Sequence, residues 1–227
     1  MTRDYKKITM KTVDIGKVHN ILKREVKNYK VPIVDLIQVQ TKSPFKVLVT
    51  TILSARTNDK TTTEAAKKLF TKVKNIGDLE RIPLNQVERL IHPVGFYKNK
   101  AKYLKQMPKV LKEKFNNKIP QTIDELVKLP GVGRKTANLV VVIAFNKHGV
   151  CVDTHVHRIT NRLGYVKTKT PHETEIALRE KLPKRYWKTI NSILVAFGQN
   201  LCRPIGPKCS ICPIAQYCNR IGVKKSR

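Results

Sequence analysis

Apolar residues recur along this chain at helical spacing, and nowhere do they alternate with period two for long enough to make a strand. Residues 1–15 read as a basic tail, with Gly16 as a break behind it. Val18, Ile21, Leu22 and Val26 then place a helix over Lys17–Lys30, and Val31–Lys42, which contains Pro32, reads as extended or loop. Ser43-Pro44-Phe45 has the form of an N-cap with proline at the first helical position, opening a helix to Leu53 that is apolar nearly all round and belongs in a core. The segment Ser54–Asp59 ends it, and Asn58 caps a helix to about Val73 with Ala65, Leu69 and Val73 on its inner face. Short helices follow at Ile76–Arg81 and Leu84–Ile91, then a loop at Pro93–Tyr97. Lys98–Phe115 is helical again, with Ala101, Leu104, Val110 and Leu111 inward, the lysines outward and a kink expected at Pro108.

Thr122-Ile123-Asp124-Glu125 is a capping box, which starts a short helix to about Leu129. Lys135–Phe145 is apolar enough for a buried helix, which Gly149 should end. Asp153 is placed to cap a helix to Leu163, and Pro171–Leu182 and Pro183–Leu201 give two more before a cysteine-bearing tail. There is no repeat and no low-complexity segment, so the fold class is all-α.

Between the two helices around residue 130 lies L-P-G-V-G-R-K-T-A, residues 129–137, a helix-hairpin-helix pattern. Its glycines permit positive φ and close backbone approach. A turn feeding a helix N-terminus aims N–H groups outward and makes an anion site. The same letters also fit an ordinary helix–helix turn, and charge separates the two readings. The 227 residues carry 46 Lys and Arg against 16 Asp and Glu, a formal net charge of +30. Such an excess repels itself, and a polyanion, nucleic acid first, offsets it. The longest apolar run, Leu139–Phe145, is too short to cross a bilayer, and M-T-R-D-Y-K-K at the start has no apolar stretch behind it. A soluble prokaryotic intracellular protein, cytoplasmic and associated with the nucleoid, is expected, with no membrane partner.

Of five cysteines, Cys202, Cys209, Cys212 and Cys218 fall within seventeen residues, and Cys151 stands apart as a buried apolar residue. In a reducing compartment a tight cluster favours metal over disulfides. The asymmetric gaps of six, two and five suit a [4Fe–4S] cluster better than the paired knuckles of zinc. Spacing alone leaves zinc open, and either metal could be purely structural. Arg203, Lys208 and Arg220 lie in this segment, which has no acidic residue from Gln199 onward, so it is suited to face a phosphate backbone.

Lys135 stands in the first turn of the hairpin's second helix, where the helix dipole favours the neutral, nucleophilic amine. A free lysine is neutral about once in 2,500 at pH 7. Making a lysine a useful nucleophile takes roughly 4 kcal/mol. A helix end supplies at most about 2 kcal/mol. Desolvation or a cationic neighbour such as Arg134 must add the rest. Asp153 heads D-T-H-V-H-R and could serve as a cap or as a carboxylate facing the reacting centre. His155 and His157 are two apart, and on a helix they point to different faces, which argues against a metal pair.

Taken together, L-S-A-R-T-N-D at residues 53–59, V-G-F-Y-K-N-K-A at 94–101, the hairpin, V-D-T-H-V-H-R at 152–158 and the four cysteines resemble the endonuclease III family of helix-hairpin-helix base-excision DNA glycosylases. They occur in that family's order from about Ser43 to Cys218. The resemblance implies a two-lobed all-α fold. Residues 1–42 would pack with the C-terminal lobe, 43–146 would form a six-helix lobe with the hairpin at 122–146, and 147–227 would form a helical lobe with an iron–sulfur loop at 202–218. It implies a monomeric DNA N-glycosylase and abasic-site lyase acting on oxidised pyrimidines in double-stranded DNA. Lys135 would form a Schiff base, and Asp153 would stabilise the sugar's positive charge. Cys202, Cys209, Cys212 and Cys218 would hold a [4Fe–4S] cluster. DNA contacts are implied for Gly131, Val132, Gly133, Arg134 and Thr136 of the hairpin, for Arg56 and Phe96, for Arg158, and for Arg203 and Lys208.

The chain departs from the family's usual pattern at Arg56, where glutamine is common, and at Phe96, where leucine is common. Both lie in segments that enter the duplex, so lesion and opposite-base preference are not carried over. The first fifteen residues have no counterpart. The further C-terminal domain of the adenine-mismatch branch is not expected beyond Cys218. Lys135 argues against a monofunctional or mismatch glycosylase, and a non-enzymatic DNA-binding module would leave Lys135 and Asp153 idle.

Overall fold

The computed structural model describes residues 11–29 and 43–227; the first ten residues of the tail expected over 1–15 and the extended segment over 31–42 lie outside them. The described residues are helical, with no strand among them. They fall into two compact units, one of residues 43–151 and one of residues 11–29 with 152–227.

The first unit is built around α2 (Pro44–Ser54), after α1 of the other unit (Ile15–Glu25). The Ser43 hydroxyl accepts from Lys46 N–H and Pro44 takes the first turn, as the sequence requires. All residues from Val47 to Leu53 are buried, so α2 is a core helix. Each of its fully buried aliphatic side chains contributes about 1.5–3 kcal/mol. It packs on α3 (Asp59–Lys72), α6 (Tyr97–Phe115) and α8 (Arg134–Phe145). Between them lie α4 (Ile76–Arg81), α5 (Leu84–Ile91) and the four-residue α7 (Ile123–Leu126). Asn58, Asn75 and Thr122 cap α3, α4 and α7 through their side chains.

Two expectations in this unit are corrected. The lysines of α6 do not all point outward: Lys100 is 5% exposed and Lys105 is half-buried. Their ammonium groups bond the carbonyls that end α2 and α4, a favourable place for a cation. The end of α8 is Asn146 in the left-handed conformation (φ 53°), not Gly149. Gly149 instead packs against Asn138 and Val142, where a Cβ would press on both.

In the second unit α1 opens on Asp14, which accepts from Lys17 N–H, so Gly16 lies in the first turn rather than breaking the chain before it. A 3₁₀ turn, Val26–Asn28, continues it. α9 (Thr154–Leu163), α10 (Pro171–Lys181) and α11 (Ile190–Asn200) complete the unit, α11 packing on both α1 and α9. Thr170 and Glu173 form a second capping box at α10. The single helix expected over Pro183–Leu201 is instead a 3₁₀ turn, Lys184–Tyr186, followed by α11. Trp187 turns back to donate its indole N–H to Leu182 O at 2.8 Å, which interrupts the helical course.

Candidate active site and nucleic-acid interface

The hairpin is α7, a turn through Leu129–Gly133, and α8. Its two glycines serve different ends. Gly131 is left-handed (φ 75°), and a Cβ there would stand 2.7 Å from the Tyr103 ring on α6. Gly133 is extended (φ −89°, ψ 173°), a conformation any residue adopts, and a Cβ there would meet no protein atom within 4 Å. Gly131 therefore serves the fold, whereas bare Gly133 leaves surface room for something outside the chain. Gly133 is the N-cap of α8 and has no side chain to close its first turn; the first helical bond runs from Ala137 N–H to Gly133 O, 2.9 Å. The Val132 side chain is buried and its N–H is bonded to Leu129 O, 3.2 Å. The Thr136 side chain is also buried, which leaves only its backbone for an interface role. Arg134 pairs with Asp124 at 3.7 Å across the hairpin, and Lys135 is exposed. Gly131→Ala should lower thermal stability by about 1–3 kcal/mol through strain at positive φ. Gly133→Ala should leave the melting temperature unchanged and weaken DNA binding, which melting and titration on the same two variants will check.

Arg56 and Phe96 lie at two adjacent loop tips. Both are left-handed, φ 53° and 58°, and Phe96 is 59% exposed. The Arg56 guanidinium stands 5.5 Å from the centre of the Phe96 ring. A shallow cavity of about 270 Å³ opens beside them, lined also by Asn99, Lys100, Tyr103 and Gly131. The structure thus brings the hairpin turn and both tips to one face of this unit. Lys100 and Tyr103, which sequence reasoning passed over, form the floor that joins them.

Asp153 caps α9, its Oδ1 accepting from His155 and Val156 N–H at 2.9 Å each. Asp153 belongs to the second unit and Lys135 to the first. One turn along α9, Arg158 turns its guanidinium inward, to Cys202 O (2.8 Å), Gly198 O (3.4 Å) and His155 Nδ1 (3.0 Å). It secures the end of α11. Arg162, not singled out from sequence, bonds Arg203 O and Pro204 O at 2.6 Å each and points an Nη1 at Cys202 Sγ, 3.5 Å. His157 bonds the Thr174 hydroxyl at 2.7 Å, so the two histidines do face different neighbours.

Cys202, Cys209, Cys212 and Cys218 line one apolar pocket with Ile159, Leu163 and Phe197. All four are free thiols, and burial pushes Cys212 up to about 11 and Cys218 in the same direction. Arg220 N–H donates to Cys218 Sγ at 3.3 Å, the kind of bond that steadies a ligating sulfur. Among the described residues no three Cys, His, Asp or Glu side chains stand together as a formed metal site. The donor set nevertheless suits a thiolate-ligated group. Thiols crowded in an apolar cup gain little from ionising until a cation arrives. Arg203 is exposed and Lys208 half-exposed on this loop, and Cys151 is buried in the other unit against Lys135 O, 3.8 Å. No described helix is long and apolar enough to cross a membrane.

The model of the HhH-GPD superfamily base excision DNA repair proteins matches residues 49–184. Endonuclease III of Thermotoga maritima is 45% identical over 175 residues, 77% of this chain and 82% of that protein. The Bacillus subtilis enzyme is 39% identical, over 82% of this chain and 84% of its own. Among solved structures, a non-covalent endonuclease III–DNA complex superposes with a TM-score of 0.80 at 32% identity, covering 91% of this chain and 94% of that one. A trapped endonuclease III–DNA covalent intermediate gives 0.78 at 31% identity, covering 92% and 97%. The chain belongs to the HhH-GPD superfamily as a base excision repair DNA glycosylase of the endonuclease III type.

Proposed function

We propose that this glycosylase is bifunctional, removing oxidised pyrimidines from double-stranded DNA and then cutting the strand at the abasic site. The observation that carries the reading is Lys135, exposed in the first turn of α8 beside the bare Gly133 cap. An amine there is accessible to a nucleotide drawn out of the duplex. Its nitrogen attacks C1′ as the bond to the base breaks, and the base leaves with the bonding pair and is protonated. Loss of the nitrogen's proton and opening of the sugar ring give an iminium. Removal of a C2′ proton from the iminium then expels the 3′ phosphate by β-elimination. Water hydrolyses the imine and returns Lys135 as the free amine. Asp153 carries the complementary role, a carboxylate that favours the positive sugar and assists the proton transfers. Extrusion of the nucleotide leaves a gap that Arg56 and Phe96 fill as it opens. A relative of similar structure has been trapped covalently on DNA, which supports a nucleophile of this kind.

Cys202, Cys209, Cys212 and Cys218 would hold a [4Fe–4S] cluster, which supplies a rigid staple for residues 202–218 and presents Arg203 and Lys208 to phosphates. Protein purified without oxygen should absorb near 400 nm with about four irons per chain; a colourless zinc protein would refute this assignment. The test of the function is product analysis on a thymine-glycol duplex. Strand scission with an unsaturated 3′ sugar is expected, and intact abasic sites would instead make the enzyme monofunctional.

A further inference from the structure

The side chain of Lys100 enters the fold from α6, not from either DNA-facing tip. Its ammonium meets three acceptors: Leu53 O at 2.8 Å, Ala55 O at 2.5 Å and Thr57 Oγ1 at 3.2 Å. Three protons for three acceptors is the complete matching that a buried cation needs. The first two acceptors end α2, where helix carbonyls lack intrahelical partners. The third is the hydroxyl that also accepts from Gly95 N–H at 3.1 Å. The bonds therefore run from α6 through Thr57 to the residue before Phe96, and from α6 to the residue before Arg56. The tips touch at Gly95 as well, since a Cβ there would stand 2.6 Å from Arg56 O. Burial holds the Lys100 pKa down to about 8, yet a neutral apolar residue would take a donor away from two carbonyls and leave the Thr57 hydroxyl with Gly95 N–H in place of two donors.

Resting on the function proposed above, we infer that Lys100 is a positioning residue that locks the Arg56 and Phe96 tips into one wedge for entry into the duplex. A plain core lysine would stabilise the fold and affect every activity alike. A wedge lock bears on the step that needs the wedge, the opening of paired DNA. Lyase action on an abasic site in a single-stranded oligonucleotide needs no such opening, so the two rates separate the roles.

Full-length Lys100→Met and wild type are compared in single-turnover excision from a thymine-glycol duplex and in cleavage of a single-stranded abasic oligonucleotide. The ratio of the first rate to the second should fall about tenfold or more, because sub-ångström misplacement of working groups is that costly. A duplex carrying 2-aminopurine beside the lesion should brighten on binding wild type, as the stack opens, and brighten little with the variant. Thr57→Val removes the shared hydroxyl at nearly constant volume. It should shift both readouts in the same sense by a smaller factor, and it decides the matter if Lys100→Met does not fold. Parallel loss of both rates, an unchanged ratio, or equal brightening with the variants would overturn the inference. Wild type inactive on both substrates would overturn the function it rests on, and that is read before any variant is compared.

Discussion

Lys135→Ala should give no covalent adduct when borohydride is added to enzyme and thymine-glycol duplex, under conditions where wild type is captured. Strand cleavage should fall by about 10³-fold or more, roughly 4 kcal/mol of barrier. The structure makes this substitution unusually clean. Lys135 is exposed at the second position of α8, and alanine is the best helix former, so the variant should melt at or slightly above the wild-type temperature. Removing a cation from the positive end of the helix acts in the same direction. A large kinetic loss in a protein of undiminished stability assigns the amine to chemistry rather than to folding. Equal trapping of the variant would remove Lys135 from the reaction.

Asp153→Asn separates the cap that this carboxylate makes from the catalytic role proposed for it. The Oδ1 atom that accepts from His155 and Val156 has an amide counterpart in asparagine, which caps helices about as well as aspartate. The variant should therefore melt close to wild type, whereas Asp153→Ala should lose about 1 kcal/mol of stability. Base excision should fall by about 10²–10⁴-fold in both, because neither retains the charge or the proton-accepting oxygen. DNA affinity at moderate salt should be held or slightly raised, since a negative charge has gone. If Asp153→Asn excises at the wild-type rate, the residue is only a cap.

The caps were the most legible part of the fold, because each is a local bargain between a short side chain and an N–H two or three residues ahead. Ser43, Asn58, Thr122 and Asp153 could be read that way with no knowledge of the neighbours. The place of Lys135 in the first turn after the glycines was equally local. What could not be read was the direction of long cations. Lys100, Arg158 and Arg162 look like surface charge in a chain with 46 Lys and Arg. Their direction is decided by carbonyls elsewhere in the chain: Leu53 and Ala55 for Lys100, Gly198 and Cys202 for Arg158, Arg203 and Pro204 for Arg162. The amide of Val132 was illegible for a related reason. The pattern marked the turn but not which of its amides the turn uses itself.

The acidic residues were described above as helix caps and capping-box partners, and that placement has a consequence in solution. Asp14, Glu125, Asp153 and Glu173 sit at helix starts, and Asp78 accepts from Lys74 N–H and pairs with Arg81. Five of the sixteen acids are thus tied down at helix starts, and all sixteen together leave thirty cations unmatched. Cap bonds are short and nearly indifferent to ionic strength, whereas repulsion among thirty excess cations is screened within about 10 Å at 0.1 M salt. Added salt thus tightens the free fold while loosening its grip on DNA. In dilute buffer the duplex takes over the part that salt had played, and the nucleic acid becomes the counterion of the folded protein.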